Sequence, residues 1–134
     1  MQTLEIIKLY YDSFNRGDMK TFISLLDENI RHDLNQGDSI IGKPQFESFM
    51  ERMNRCYKEH IKELFIMTSN DNKRAAAEYV VEGTYFATDT DMPPAKNQKY
   101  TLPGGAFFSI NNGKIIRVTN YYNLTEWFKQ VETS

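Results

Sequence analysis

Four consecutive positions, His32-Asp33-Leu34-Asn35, set an imidazole, a carboxylate and an amide close together. A neutral imidazole or an ionised carboxylate can accept a proton from carbon, so His32 and Asp33 are both candidate general bases. Strand geometry forces a choice, because neighbouring side chains on a strand point to opposite faces. If Asp33 faces a pocket, Arg31 and Asn35 face it too, and an inward guanidinium would keep the carboxylate ionised and weaken it as a base. If His32 faces inward, it stands between Ile30 and Leu34 on an apolar wall. Tyr10 falls on the apolar stripe of a helical pattern. Each residue also has an ordinary structural use: a core histidine, a turn carboxylate, a packing tyrosine.

The surrounding chain must place these groups. From Leu4 to Phe14 the apolar residues Leu4, Ile7, Tyr10 and Phe14 recur at helical spacing, which predicts a helix with one buried face. Asn15-Arg16-Gly17 ends it, with Gly17 suited to a left-handed cap. Asp18 caps a second helix, expected to stop near Asp27-Glu28-Asn29. Ile30 to Asn35 reads as a short strand. Gly42-Lys43-Pro44 opens a third helix, whose stripe of Phe46, Phe49, Met50, Met53, Cys56 and Tyr57 carries it to about His60. Cys56 on that stripe reads as a buried thiol, not a nucleophile.

Strand patterns follow. Ile61 to Thr68 and Arg74 to Phe86 are β-rich, with Ala75, Ala77, Tyr79 and Val81 on one face of the second. Gly83 there suggests a bulge. Ala87 to Gln98 reads as a long loop, a candidate lid. Tyr100 to Ile110 is a strand with an apparent kink at Pro103-Gly104-Gly105, and Asn111-Asn112-Gly113 is a hairpin turn. In the strand Lys114 to Tyr122, Ile116, Val118, Asn120 and Tyr122 share one face and Ile115 and Tyr121 the other. Asn123 with Glu126 predicts a capped final helix. The order implies one α+β domain over 1–134: a strongly curved antiparallel sheet with helices on its concave face. Asn35, Tyr79, Asn120, Tyr122, Phe49 and Met53 are the candidate substrate-binding residues of the enclosed pocket.

This order and several local motifs resemble the nuclear transport factor 2-like superfamily, in particular its ketosteroid isomerase and SnoaL-like branch. The resemblance is carried by Tyr10, Asn15-Arg16-Gly17-Asp18, the run Phe22 to Asn29, His32-Asp33, Gly42, and the hairpin Phe107 to Ile115. It implies a cone-shaped α+β barrel. In the isomerases a carboxylate moves a proton beside a carbonyl, while a tyrosine and a protonated aspartate hold the oxyanion. By the same resemblance Tyr10 takes the tyrosine's place and Asp33, or His32 one residue away, the base's. The second aspartate has no counterpart, since its place falls at Gly105 or Ala106. Loss of an oxyanion donor costs about 2.7–4 kcal/mol, which argues against efficient steroid isomerisation. The resemblance leaves two readings: an isomerase, cyclase or dehydratase acting on a small hydrophobic carbonyl compound, or a non-catalytic binding or dimerisation module.

The totals narrow the partners. A net charge of -2 offers no basic patch for nucleic acid, and no apolar run would cross a membrane. The amphipathic N-terminus and a lone cysteine lead us to expect a chain without a secretory signal, in a reducing cytoplasmic setting. Two histidines with no ligand spacing argue for no metal and no cofactor. Eight tyrosines, nine phenylalanines and six methionines suit either a bulky core or a hydrophobic pocket. A curved sheet with one covered face leads us to expect a homodimer through the other.

Overall fold

The structure, a computed structural model, describes residues 1–132. The elements are α1 (Thr3–Arg16), α2 (Met19–Ser24), β1 (Leu26–Asp33), β2 (Ile40–Ile41), α3 (Lys43–Cys56), β3 (Tyr57–Thr68), β4 (Arg74–Tyr85), β5 (Gln98–Asn111), β6 (Lys114–Tyr122) and α4 (Leu124–Glu132). One curved sheet runs β2-β1-β6-β5-β4-β3. It is the expected curved sheet with helices on its concave face; it stays open, and β1 pairs with β6 in parallel while the other strand pairs are antiparallel. No helix among the described residues is long and apolar enough to cross a membrane.

The Asn15-to-Asp18 motif does three separate jobs. Asn15 bonds the backbone of Ile61 in both directions, its amide donating to the carbonyl at 2.9 Å and its Oδ1 accepting from the N–H at 2.8 Å, which ties the end of α1 to β3. Gly17 takes φ 72° and closes the helix. Asp18 accepts from the Thr21 N–H at 3.1 Å and starts α2. Ile6, Ile7, Tyr10 and Tyr11 of α1 and Phe46 and Met50 of α3 then press onto the inner face of the sheet.

Several boundaries differ from the sequence reading. α2 ends at Ser24 and Leu26 already belongs to β1, because Leu26 and Ile30 bury themselves against β6 rather than continuing a helical stripe. α3 stops at Cys56, so Tyr57 to His60 are strand, paired with Tyr85 to Glu82. β1 ends at Asp33, leaving Asn35 exposed in a left-handed turn. In β6 a register shift opposite Ser109 and Ile110 turns Ile115 inward, where it is fully buried; it does not share the outer face with Tyr121. The Asn112-Gly113 turn has positive φ at both positions, as a tight hairpin requires. The Asn123 side chain accepts from the Glu126 N–H at 2.9 Å and starts α4.

The predicted kinks at Gly83 and Gly104 are absent: β4 and β5 pair without interruption from Arg74–Ser109 to Tyr85–Gln98. These glycines supply space, not bends. A Cβ on Gly83 would sit 2.3 Å from the Tyr100 ring, and one on Gly104 would sit 2.7 Å from the Tyr79 ring. Each tyrosine therefore lies across the neighbouring strand on the concave side.

The loop 86–97 is pinned. Asp89 is buried, and Arg52 donates to its two oxygens at 2.8 and 3.1 Å while Tyr57 donates at 2.8 Å. Burial pushes the Asp89 carboxyl up, but these donors outweigh it and hold it below the ordinary carboxylate range. Tyr85 donates to the Pro93 carbonyl at 2.6 Å, and Trp127 of α4 packs on Tyr57, Tyr85 and Tyr100.

Gly83→Ala must push the Tyr100 ring off its seat. It is expected to destabilise the fold by about 1–3 kcal/mol, measured as a lower denaturant midpoint. An unchanged midpoint would refute the spacing argument.

Candidate functional site

On β1 the either/or is decided. His32 faces inward at 2% exposure, and Asp33 faces the opposite side of the sheet. Asp33 accepts from Arg31 at 2.9 Å, from Thr119 at 2.9 Å and from Ser39. Partial burial raises its pKa, yet these donors win and keep the carboxyl below its usual range. Such a carboxylate is a weak base and lies outside the concave side.

His32 stacks on Phe46 at 4.2 Å between centroids with 15° between planes, and meets the edge of Phe49 at 4.9 Å. Burial pushes its pKa down to about 4, against a small upward pull from the Asp33 charge, so the ring is neutral near pH 7. Its Nε2 lies 3.1 Å from Asn120 Nδ2. With the amide nitrogen toward the ring, Nε2 accepts and the imidazole proton sits on Nδ1, which is buried without a protein partner. The pair locks the orientation of Asn120. Its second N–H and its carbonyl remain available on the half-buried side of the residue.

Half-buried residues trace the open part of the concave face. They are Phe49 and Met53 on α3, Tyr57 on β3, Tyr79 on β4, and Asn120 and Tyr122 on β6. Five of these six are the residues expected to contact a substrate; Asn35, the sixth expected, is out in the exposed turn. Tyr10 is enclosed by Tyr11, Phe22 and Phe108, with centroids 5.1, 4.5 and 5.3 Å away. Burial, and secondarily the Tyr79 phenol, make its ionisation very unfavourable. Tyr10 is thus a packed floor residue beside Tyr79, and it is not brought together with Asp33. Tyr11 has a hydroxyl buried without a protein partner.

One residue the sequence reading passed over faces the same space. Glu59 pairs with Gly83, placing it on the concave face in line with Tyr100. The Tyr100 hydroxyl donates to Glu59 Oε2 at 2.5 Å, across the gap left by Gly83. Glu59 keeps solvent exposure on the edge strand β3 although protein crowds its carboxyl. Its desolvation raises its pKa above the ordinary range, and the Tyr100 bond only partly offsets this. Tyr79 is pushed up to about 12, by burial first and the Glu59 charge second. Tyr122 is raised by burial and then by Glu59 and Asp89. A signal exists in the sequence: Tyr57, Glu59 and Ile61 alternate as on a strand, but the helical stripe before them runs on into the same residues.

A recess of about 770 Å³ is lined by Phe65, Glu78, Val80 and Tyr121 and also by Tyr79 and Tyr122, so it reaches the same two tyrosines.

Comparison with known proteins fits this geometry. The SnoaL-like domain profile matches residues 7–118. The chain belongs to the SnoaL-like family. Within the wider NTF2-like superfamily, this SnoaL-like chain is similar to a protein of Pseudomonas putida provisionally named a polyketide cyclase, with 51% identity, 98% of each chain covered and a TM-score of 0.97. A Xanthomonas campestris protein with the same provisional name is 46% identical over 96% of each chain, with a TM-score of 0.93. An NTF2-like protein of Burkholderia pseudomallei shares the fold at 12% identity, with 96% of each chain covered and a TM-score of 0.80. No curated protein matches the chain.

His32 also leaves a measurable mark on stability. The folded ring titrates at about 4 and the ordinary value is 6.5, so between these pH values the unfolded chain binds more protons. The stability from the neutral ring is complete above 6.5 and falls away as pH drops toward 4, by roughly 3 kcal/mol. Urea unfolding at about pH 7 and about pH 4.5 should show a smaller acid loss for His32→Leu than for the wild type. Equal losses would mean that the ring is not held neutral.

Proposed function

We propose that this SnoaL-like chain binds a small hydrophobic carbonyl compound in the concave chamber and moves a proton on it, as an isomerase, cyclase or dehydratase does. The observation that carries this reading is Asn120. It is half-buried on the same face of β6 as Tyr122, with its amide oriented by a neutral, buried histidine that itself meets Phe49. One amide N–H is held by His32, and the other can donate to a carbonyl oxygen that gains charge as a neighbouring carbon loses its proton. The aromatic and methionine walls suit a flat apolar body. The provisional name of the two relatives points the same way, because closing a polyketide ring joins a deprotonated carbon to a carbonyl carbon. His32 acts here as a positioning residue.

2-Naphthol is a stable mimic of an enol and serves as the probe. Calorimetric titration is expected to show binding to the wild type and about tenfold weaker binding to Asn120→Leu, as loss of one hydrogen bond implies. Exchange of the α-protons of 2-tetralone in D₂O, followed by proton NMR, should be faster with the protein than without it. Binding without exchange would favour the non-catalytic module, and absence of both would overturn the chamber reading.

For the opposite face of the sheet we propose a second copy of the chain as partner. Phe65, Met67, Phe107 and Tyr121 stand 68%, 54%, 45% and 45% exposed on that one face. Arg74 and Arg117 lie at one end of the patch with no carboxylate in ion-pair range among the described residues, and Glu78 lies toward the other. A two-fold apposition sets the basic end against the acidic one, the self-complementarity an isologous dimer needs. Light scattering should give about twice 15.7 kDa for the wild type and the monomer mass for Phe107→Asp. A wild-type monomer at micromolar concentration would refute it.

A further inference from the structure

Glu59 is a concave-facing acid. Among the described residues no lysine, arginine or histidine comes within ion-pair range, and its one protein bond, from Tyr100, goes to Oε2. Oε1 has no protein partner there. The arrangement is built at a cost to β4, since Gly83 must stay without a side chain for Tyr100 to cross from β5 and reach β3. Tyr100 itself is 3% exposed and packed on Trp127, so the hydroxyl that holds Glu59 is rigid. A second tyrosine crosses in parallel: Tyr79 lies over Gly104, the residue paired with Tyr122. The hydroxyls of Tyr79 and Tyr122 have no protein hydrogen-bond partners among the described residues, and both phenols lie where the Glu59 charge is felt. A fixed, solvent-open carboxylate thus shares the concave face with two uncommitted donors.

From this geometry we propose that Glu59 is the catalytic base of the chamber, removing a proton from the carbon next to the carbonyl of the bound compound. Tyr100 is its positioning residue, and Tyr79 and Tyr122 are donors to the oxygen. The assignment rests on the reading of the chamber given above and names the group that carries it out. In the step, the C–H bond breaks and its proton forms an O–H bond with Glu59. The electron pair becomes the carbon–carbon double bond of an enolate, and the carbonyl oxygen takes the negative charge. Return of the proton from Glu59 to carbon or oxygen completes an isomerisation and needs no other reagent. Because Glu59 is open to solvent, its proton also exchanges with water.

The test uses the whole chain with 2-tetralone and 2-naphthol. Glu59→Gln keeps an oxygen for Tyr100 to donate to, so the fold is preserved. It is expected to lower α-proton exchange by roughly 100-fold or more, within the usual range for loss of a general base, while 2-naphthol affinity stays within about threefold. Glu59→Asp, with the carboxylate one methylene back, should retain part of the rate. In the wild type, exchange rises with pH as Glu59 ionises. Tyr100→Phe removes a bond that favours the ionised form, so this rise should move to higher pH, a change that a purely structural role would not produce. If Glu59→Gln exchanges within about threefold of the wild type and Tyr100→Phe leaves the pH profile in place, Glu59 is not the base, and the chamber reading stands on the wild-type exchange. If the wild type neither exchanges nor binds 2-naphthol, the chamber reading itself falls and Glu59 loses its role with it.

Discussion

Space on the inner face of a curved sheet is the constraint on which this molecule turns. Side chains on a convex surface fan apart, whereas those on a concave one converge on a shared volume. Large aromatics from α1, α3 and α4 already occupy much of that volume. Two strand positions answer by having no side chain at all. Gly83 and Gly104 let Tyr100 and Tyr79 lie flat over the neighbouring strands, which lines the concavity with phenols instead of filling it with upright rings. Small Ala75, Ala77 and Ala106 on the same face have a related effect beneath α1.

Polarity is sorted by the same two-sidedness. Across β1 a single peptide unit separates a neutral imidazole from an ionised carboxylate, and each is stable only on its own side. His32 is held uncharged by apolar rings and one amide. Asp33 is held charged by an arginine and two hydroxyls. Exchanging the faces would bury a charge without a counterion, several kcal/mol by ordinary desolvation arguments. The strand register is therefore locked by electrostatics as well as by the apolar residues Leu26 and Ile30.

The corner where α3, β3 and the loop 86–97 meet is fixed by a different device. Asp89 gathers Arg52 from α3 and Tyr57 from β3, and the loop that carries it is further tied by the Tyr85 hydroxyl. That loop has the composition of a flexible segment, yet its central acid is among the most buried polar residues. The result is a cross-linked corner that joins helix, strand and loop.

How much of this could be read from the chain depends on the range of the interaction involved. Helical spacing of Ile6, Ile7, Tyr10 and Tyr11, the Gly17 and Asp18 caps, the Asn112-Gly113 hairpin and the Asn123 cap are all set within a few residues, and each follows from local geometry. The family followed from the order of those elements. Five of the six expected contact residues line the concave face because strand alternation and helical period are local rules too. What the sequence could not decide was where two local rules met. The stripe of α3 and the alternation of β3 overlap at Tyr57 to His60, and only pairing with β4 chose strand, which brought Glu59 onto the concave face. Likewise a glycine in a strand looks the same whether it bends the chain or makes room for a distant ring. The sequence by itself determined the elements, the family and that one of His32 and Asp33 must face inward. Tertiary structure alone chose His32, seated Tyr100 over Gly83 and gave Glu59 its place, because each depends on contacts between strands far apart in the chain.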